Sequence, residues 1–169
     1  MKALALDIDV SAVRRFREGL SKSPEIAREE LRAATLESLM LLENLTKDNT
    51  PTGATALLRG AWASELLGEA AENETLGRVY NPMPYAAAIE TGTRPHWAPL
   101  DPLIDWVRAK LDVQDEDEVL HVARLVQFKI AARGTPAQEP ARRALDAAGP
   151  DIQTSYRMAT ERMMERIGF

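Results

Sequence analysis

The centre of the predicted fold is the stretch Asn81-Pro-Met-Pro-Tyr-Ala-Ala-Ala-Ile-Glu-Thr-Gly-Thr-Arg-Pro-His-Trp-Ala-Pro99. Two prolines open it and two more lie near its end, so residues 85–90 are predicted to form one helical turn between rigid segments. Gly92 is able to adopt the positive φ that ends such a turn, and the residue before each proline is driven toward extended geometry. The stretch therefore predicts a loop that is held in one conformation and presented at the surface.

The tip of this loop carries a cation, an imidazole and an indole close together. Arg94, His96 and Trp97 flank Pro95, and both Trp and Arg are over-represented among the residues that carry binding energy at interfaces. The alternative is structural: Trp97 buried against a proline, and Arg94 paired with Glu90 at helical spacing. Both interpretations stay open at this point.

Length and composition predict a single domain over residues 1–169. Of the 169 residues 45% are apolar, which suffices for one core but not for two full domains. The net charge is −5 and basic residues appear interspersed among acidic ones along the chain, which argues against a protein that wraps duplex DNA. The lack of cysteine excludes disulfides, thiolate chemistry and Cys-based zinc sites. We expect no signal peptide and no membrane partner, because every long apolar stretch is broken by charge.

Before the loop, the sequence predicts a strand, two helices and a hairpin. Residues 3–10 alternate as in a half-buried strand, and helical spacing follows over 11–20. A second, long helix is predicted with Ser23 as N-cap and Pro24 at its first position, ending at the turn formers of 48–53. A hairpin is predicted with strands at residues 59–68 and 75–80, which alternate in polarity, and a turn at residues 69–73.

After the loop, the sequence predicts helices. Asp101 is expected to cap a short helix whose Val107 and Leu111 face the core. Residues 114–118 are an acidic lead-in to a second helix over 118–133, in which Val119 and Ala123 lie on the apolar side. Gly134-Thr-Pro then breaks the chain. Residues 142–148 are helical, a Gly149-Pro150 hinge follows, and the final helix within 150–169 is expected either to pack on the domain or to project from it. Together these elements predict an α+β fold: a small antiparallel sheet packed against a long helix, with additional C-terminal helices.

The residue pattern contains no recognisable active site. Asp7 and Asp9 share one face of the predicted strand and could hold a divalent ion, although solvent faces carry such pairs routinely. His96 and His121 lack a metal-binding spacing and a nucleophilic partner. Glu90 and His96 could form an acid and base pair across the turn, an arrangement that surface loops carry without catalysis. The sequence therefore predicts a protein that is not an enzyme and has no catalytic, cofactor-binding or metal-binding residues.

Four features follow one another in a characteristic order. They are the Thr52-Gly53 turn, Tyr85-Ala-Ala-Ala-Ile-Glu-Thr-Gly-Thr-Arg-Pro-His-Trp-Ala-Pro99, Asp105-Trp-Val-Arg-Ala-Lys-Leu111 and Ala131-Ala-Arg-Gly-Thr-Pro-Ala-Gln138. In this order they resemble the minor tail or neck proteins of tailed bacteriophages, also called tail-completion proteins, which lie where the head joins the tail. One departure is that the family usually carries a Pro-Phe pair and a second proline after Gly-Thr-Pro, where this chain has Glu139-Pro-Ala-Arg-Arg143.

The resemblance implies a structural role in the virion, at its neck or tail, after assembly in the cytoplasm of the bacterial host. Such proteins form rings around the virion axis, so it implies a homo-oligomeric ring that contacts head-closure or connector proteins and tail-terminator or tail-tube proteins. DNA would pass through the lumen without specific binding, and an acidic lumen wall is the matching hypothesis, because a basic wall would hold the phosphates.

The resemblance also implies which residues make contacts. In the loop we predict interface residues at Tyr85, Glu90, Thr93, Arg94, His96 and Trp97. Gly92 and Pro95 are expected to set the shape of the backbone in this loop. A second turn is predicted at Arg133, Gly134 and Pro136, where Gly134 has the same role.

Two other functions remain as alternatives. A prophage-derived adaptor for a host protein would stay monomeric and would not enter virions. A metal-dependent hydrolase would lose activity when Asp7, Asp9 or His96 is changed. Within the structural reading, a neck position and a tail-terminator position require the same kind of ring subunit, and both stay open.

Overall fold

The computed structural model describes residues 11–53, 55–71 and 74–168. These residues form a mostly helical α+β fold, as predicted, in which two strands pair as a small antiparallel sheet. The strand predicted over residues 3–10 lies outside the described residues. In chain order the elements are α1 (Ser11–Asn49), α2 (Leu57–Gly60), β1 (Ala63–Ala71), β2 (Glu74–Tyr80), α3 (Ala86–Thr91), α4 (Leu100–Leu111), α5 (Glu116–Arg133) and α6 (Pro140–Ile167).

The described residues group into two compact units. The first unit takes its residues from 11–39, 65–78 and 150–168, and the second takes them from 40–64 and 79–149. The proline-rich loop and the turn at residues 133–136 both belong to the second unit.

In the first unit, the C-terminal part of α6 packs against α1. The Tyr156 hydroxyl and Thr35 Oγ1 lie 2.7 Å apart, and Arg162 and Arg166 bind the Glu30 carboxylate at 2.8 and 2.9 Å. The sheet also contacts α1, because Gly77 leaves the space that the Leu39 side chain fills. The long helix thus supports both the sheet and the last helix.

Two helices continue through prolines where the sequence predicted breaks. α1 runs unbroken through Pro24, and α6 runs through Pro150. The predicted start of a second helix at Ser23 and the predicted hinge at Gly149 were therefore wrong. A proline within a helix removes one backbone hydrogen bond, and burial beyond each proline, at Ile26 and at Ala159, offsets that loss.

The predicted hairpin is present with shifted bounds. β1 begins at Ala63 rather than at residue 59, because the chain before it forms the short helix α2, and it continues to Ala71 through most of the predicted turn. Trp62 is buried, and its indole Nε1 donates to Thr50 Oγ1 at 2.8 Å. This bond ties the chain to the end of α1, so strand pairing starts only after the indole.

In the second unit, α4 and α5 pack as a helical hairpin around Val107, Val119 and Ala123, all fully buried. Helical spacing predicted these core positions. Leu111 was also expected to face the core but is 48% exposed. Asp101 does not cap α4, which follows Pro99 without a side-chain cap. α5 begins two residues earlier than predicted.

The start of α5 is set by a capping carboxylate. Asp115 Oδ1 accepts a hydrogen bond from the Glu118 backbone N–H at 2.9 Å, which satisfies one of the free donors of the first turn. The predicted acidic lead-in thus contains the cap and the first turn of the helix itself.

Candidate interaction surface

Hydrogen bonds from one asparagine fix the start of the proline-rich loop. Asn81 Nδ2 donates to the Leu58 carbonyl at 2.8 Å, and Asn81 Oδ1 accepts the Met83 N–H at 3.0 Å. The Met83 carbonyl then accepts the Ala86 N–H at 3.0 Å, where α3 begins. The predicted helical turn is present, displaced by one residue, and an Asx turn around Pro82 precedes it.

At the end of α3, two glycine-threonine turns bind each other. Thr93 N donates to the Thr135 carbonyl at 3.0 Å, and Thr135 N donates to Thr93 Oγ1 at 3.0 Å. The two threonine hydroxyls are 2.9 Å apart. The loop and the second turn, distant in sequence, therefore form one structural unit.

Both glycines adopt a conformation that side chains rarely tolerate. Gly92 has φ 72° and Gly134 has φ 71°, and each precedes one of the bridged threonines. A Cβ at Gly92 would lie 2.5 Å from the Thr135 carbonyl oxygen. A Cβ at Gly134 would lie still closer to the Thr93 carbonyl oxygen. The expectation that these glycines shape the backbone agrees with this geometry.

Glu90 joins the loop to the start of α6. Its two carboxylate oxygens accept the backbone N–H groups of Ala141 and Arg142 at 2.9 and 3.0 Å, and the Ile89 carbonyl accepts the Gln138 N–H at 2.9 Å. A carboxylate at a helix N-terminus satisfies free donors and opposes the positive end of the helix dipole. The structure thus places the Glu90 carboxylate at this cap rather than against Arg94.

The tip of the loop is anchored to α5 through its backbone. His96 N donates to the Ile130 carbonyl at 3.4 Å, and Gln127 Nε2 donates to the Ala98 carbonyl at 2.7 Å. Between these anchors, the Trp97 ring meets the Phe128 ring edge to face, with centroids 5.3 Å apart and planes at 71°. The tip is held while its side chains remain available.

The aromatic pair is exposed to solvent. Trp97 is 64% exposed and Phe128 is 59% exposed, and Leu125, one turn earlier on α5, is exposed as well. The structural alternative of a buried Trp97 is therefore wrong. Among the described residues, no acceptor binds the Arg94 guanidinium. We term Arg94, Trp97, Leu125 and Phe128 the tip surface.

His96 lies at the rim of this surface in a defined orientation. Its Nδ1 is 2.9 Å from the Arg94 carbonyl oxygen, which can only accept, so Nδ1 is the donor of this hydrogen bond. The Glu90 carboxylate is occupied at the start of α6, so it is not available as the partner of an acid and base pair with this imidazole.

An open cleft of about 500 Å³ lies beside the loop. Tyr85 and Ile89 from the α3 region, Trp106 from α4 and His96 line it, and a smaller neighbouring cleft of about 230 Å³ shares the first three residues. Apolar walls with few polar groups are typical of pockets that accept apolar side chains or small ligands. Tyr85, predicted as an interface residue, thus faces a cleft.

The second turn follows directly on the end of α5. Gly134 N donates to the Ile130 carbonyl at 2.8 Å and ends α5, Pro136 lines the cleft, and Arg133 is exposed. Sequence reasoning missed Phe128 and Thr135. Phe128 could have been found as an aromatic residue on the polar side of α5. Thr135 could have been found from the Gly-Thr dipeptide that occurs in both turns.

Within residues 11–53, 55–71 and 74–168, no group of three His, Cys, Asp or Glu side chains is arranged to hold a metal ion. Asp7 and Asp9 lie outside the described residues. His121 is exposed on α5. None of the described helices combines the length and the apolar character needed to cross a membrane.

Comparison with known proteins gives no relative: no protein-family model, curated protein or solved structure matches this chain.

Proposed function

We propose that this chain is a structural, non-enzymatic subunit of the head-to-tail joint of a tailed bacteriophage. It acts by associating with copies of itself into a ring and by docking to the connector and tail proteins on either side. DNA passes through the lumen of that ring without being bound specifically. The protein resides in the neck or tail of the virion after assembly in the host cytoplasm.

The observation that carries this proposal is the rigid presentation of the tip surface. The Thr93 and Thr135 bridge, the Glu90 cap and the anchors on α5 hold the loop before any partner arrives. A surface that is already ordered loses little conformational entropy on binding. Exposed Trp and Arg side chains on such a support are the residue types that dominate binding energy at interfaces.

The placement of the two motifs supports the same conclusion. The segments that resemble neck and tail-completion proteins, around Gly92 and around Gly134, are in direct contact in the fold. The likeness is therefore to one surface rather than to two unrelated turns. A ring requires a patch that meets a different patch on the next subunit, and the tip surface is a candidate for one of the two.

The test is assembly of the full-length protein. Light scattering over a range of concentrations, followed by electron microscopy, should reveal rings, either from the protein alone or after addition of neighbouring tail proteins. Trp97→Ala should abolish entry into particles. The stability of the folded subunit should hardly change, because the Trp97 side chain is mostly exposed to solvent. Leu145→Ala, an exposed apolar position on α6, is the matched control and should assemble normally.

A strictly monomeric protein that never enters particles would contradict the proposal and favour the adaptor for a host protein. Equal assembly of Trp97→Ala and wild type would remove the tip surface from the joint.

A further inference from the structure

Charge is segregated along α4, α5 and the segment that follows. Residues 105–118 hold six acidic and two basic side chains, a net charge of −4. Residues 119–143 hold five basic and one acidic side chain, a net charge of +4. The expectation that basic residues are interspersed among acidic ones is wrong for this part of the chain.

The fold separates the two groups in space. α5 has 18 residues and is about 27 Å long at roughly 1.5 Å per residue. Three acidic residues occupy its first turn and Arg133 its last. The bridge between Thr93 and Thr135 and the Glu90 cap bring Arg94 and the start of α6 to the same end as Arg133. We term the two groups the acidic end (Asp112, Asp115, Glu116, Asp117, Glu118) and the basic end (Arg94, Arg133, Arg142, Arg143).

Local helix stability explains only part of this pattern. Acidic residues at the start of α5 and a basic residue at its end each complement the helix dipole. Arg142 and Arg143, however, lie at the start of α6, where a positive charge is unfavourable. Glu90 supplies one negative charge at this helix start, where the backbone N–H groups of Ala141 and Arg142 bind it. The positive charge that Arg94, Arg133 and the two arginines at the start of α6 leave in excess points to a negatively charged partner.

The charges at both ends are available for such a partner. All five side chains of the acidic end are exposed, as are the four arginines of the basic end. In the part of the chain that the structure describes, no carboxylate pairs with Arg94, Arg133 or Arg143, and Arg142 has only Asp146 at 3.7 Å. At the acidic end Arg108 pairs with Glu116, and no cation among the described residues pairs with Asp117 or Glu118.

We infer that the basic end binds the acidic end of a second copy of this chain, so that successive subunits associate head to tail. A second copy satisfies both ends at once, whereas a nucleic acid would leave the acidic end unmatched. Each end also has exposed apolar side chains among its charged residues. These are Trp97 and Phe128 at the basic end and Leu111 at the acidic end. This inference rests on the proposed function and names the partner of the tip surface.

The experiment reverses one end at a time. The acidic-end variant carries Asp117→Lys and Glu118→Lys, and the basic-end variant carries Arg133→Glu and Arg143→Glu. Light scattering is measured at ~0.05 M and ~0.5 M NaCl. At low salt the apparent mass of the wild type should rise with protein concentration, and at high salt the apparent mass should be lower. Each variant alone should lose association by about tenfold or more, because its two ends then repel.

An equal mixture of the two variants should associate again, since one carries two acidic ends and the other two basic ends. Glu161→Lys with Glu165→Lys, two exposed positions on α6, is the matched control and should associate as wild type does. Circular dichroism on each variant establishes that it is folded. Association that ignores salt, a mixture that does not recover, or a monomer at every concentration would overturn the inference.

Two further outcomes separate the rival explanations. Short duplex DNA that binds the wild type but not the basic-end variant, while self-association is unchanged, would assign the basic end to phosphates and overturn the inference. Charge variants that still enter virus particles would overturn it while leaving the proposed function in place. Wild-type protein that never enters particles would contradict the proposed function, whatever the salt dependence shows.

Discussion

Thr93 and Thr135 bind each other through backbone and side chain, with the Thr93 N–H donating to the Thr135 carbonyl at 3.0 Å and the hydroxyls 2.9 Å apart. The two residues are 42 positions apart in the chain. Their contact unites the proline-rich loop with the turn after α5. The tip surface is consequently supported from two directions rather than by the loop alone.

Gly134→Ala is expected to destabilise the protein by about 2 kcal/mol or more, because it places a Cβ against the Thr93 carbonyl in a backbone conformation that alanine rarely adopts. Urea unfolding measures the difference. Gly60→Ala is the control, since a Cβ there meets nothing within 4 Å and should change stability by less than about 1 kcal/mol. Equal effects of the two substitutions would show that the bridge is not rigid.

Glu90→Gln is expected to cost about 1 kcal/mol, because the charge that caps the start of α6 is lost while the shape of the side chain is kept. Thermal unfolding gives the difference, and amide exchange at Ala141 and Arg142 should become faster. Glu165→Gln, an exposed carboxylate on the same helix, should leave both measurements unchanged. Unaltered exchange in Glu90→Gln would mean that the carboxylate does not cap this helix.

The sequence was informative where local rules decide the structure. Prolines and Gly92 predicted the loop, and helical spacing predicted Val107, Val119 and Ala123 as core. It failed where distant contacts decide. The continuation of α1 through Pro24 depends on packing beyond the proline, and no local pattern reveals it.

In the tip surface, too, local sequence predicted some features and only distant contacts decided the others. Trp97 and Arg94 were predicted from residue type and loop rigidity, and their exposure was decided only by the fold. Glu90 was expected to pair with Arg94, to pair with His96 or to make contacts outside the chain. Its position at the start of α6 depends on a chain reversal at Gly134 that brings residues 90 and 141 together.

Thr50→Val is expected to destabilise the protein by about 1 to 3 kcal/mol, because the buried Trp62 indole N–H loses its acceptor at 2.8 Å. Urea unfolding followed by tryptophan fluorescence measures the effect. Thr160→Val is a matched control: Thr160 makes the same kind of bond to the backbone four residues earlier, but it is exposed. A similar loss for both variants would mean that the indole bond contributes little.

Glu30 should make the stability of the protein depend on acid pH. Hydrogen bonds from Arg162 and Arg166 hold the pKa of the Glu30 carboxyl below its ordinary value of 4.5. A carboxyl whose pKa is lower in the folded state contributes its full stability above the unfolded value, and that contribution is lost as the pH falls through the folded pKa. The loss therefore begins below pH 4.5 and grows with further acidification.

Glu30→Gln should accordingly flatten the acid side of the stability profile. At neutral pH it should cost about 1 kcal/mol, because the arginines are partly exposed and water screens both ion pairs. The two proteins should converge as the pH falls, since protonated Glu30 no longer differs from Gln in charge. Urea unfolding at a series of pH values measures this, with Glu25→Gln, an exposed carboxylate on the same helix, as the control. A constant difference between wild type and Glu30→Gln down to strongly acidic pH would show that the pairs with Arg162 and Arg166 do not stabilise the fold.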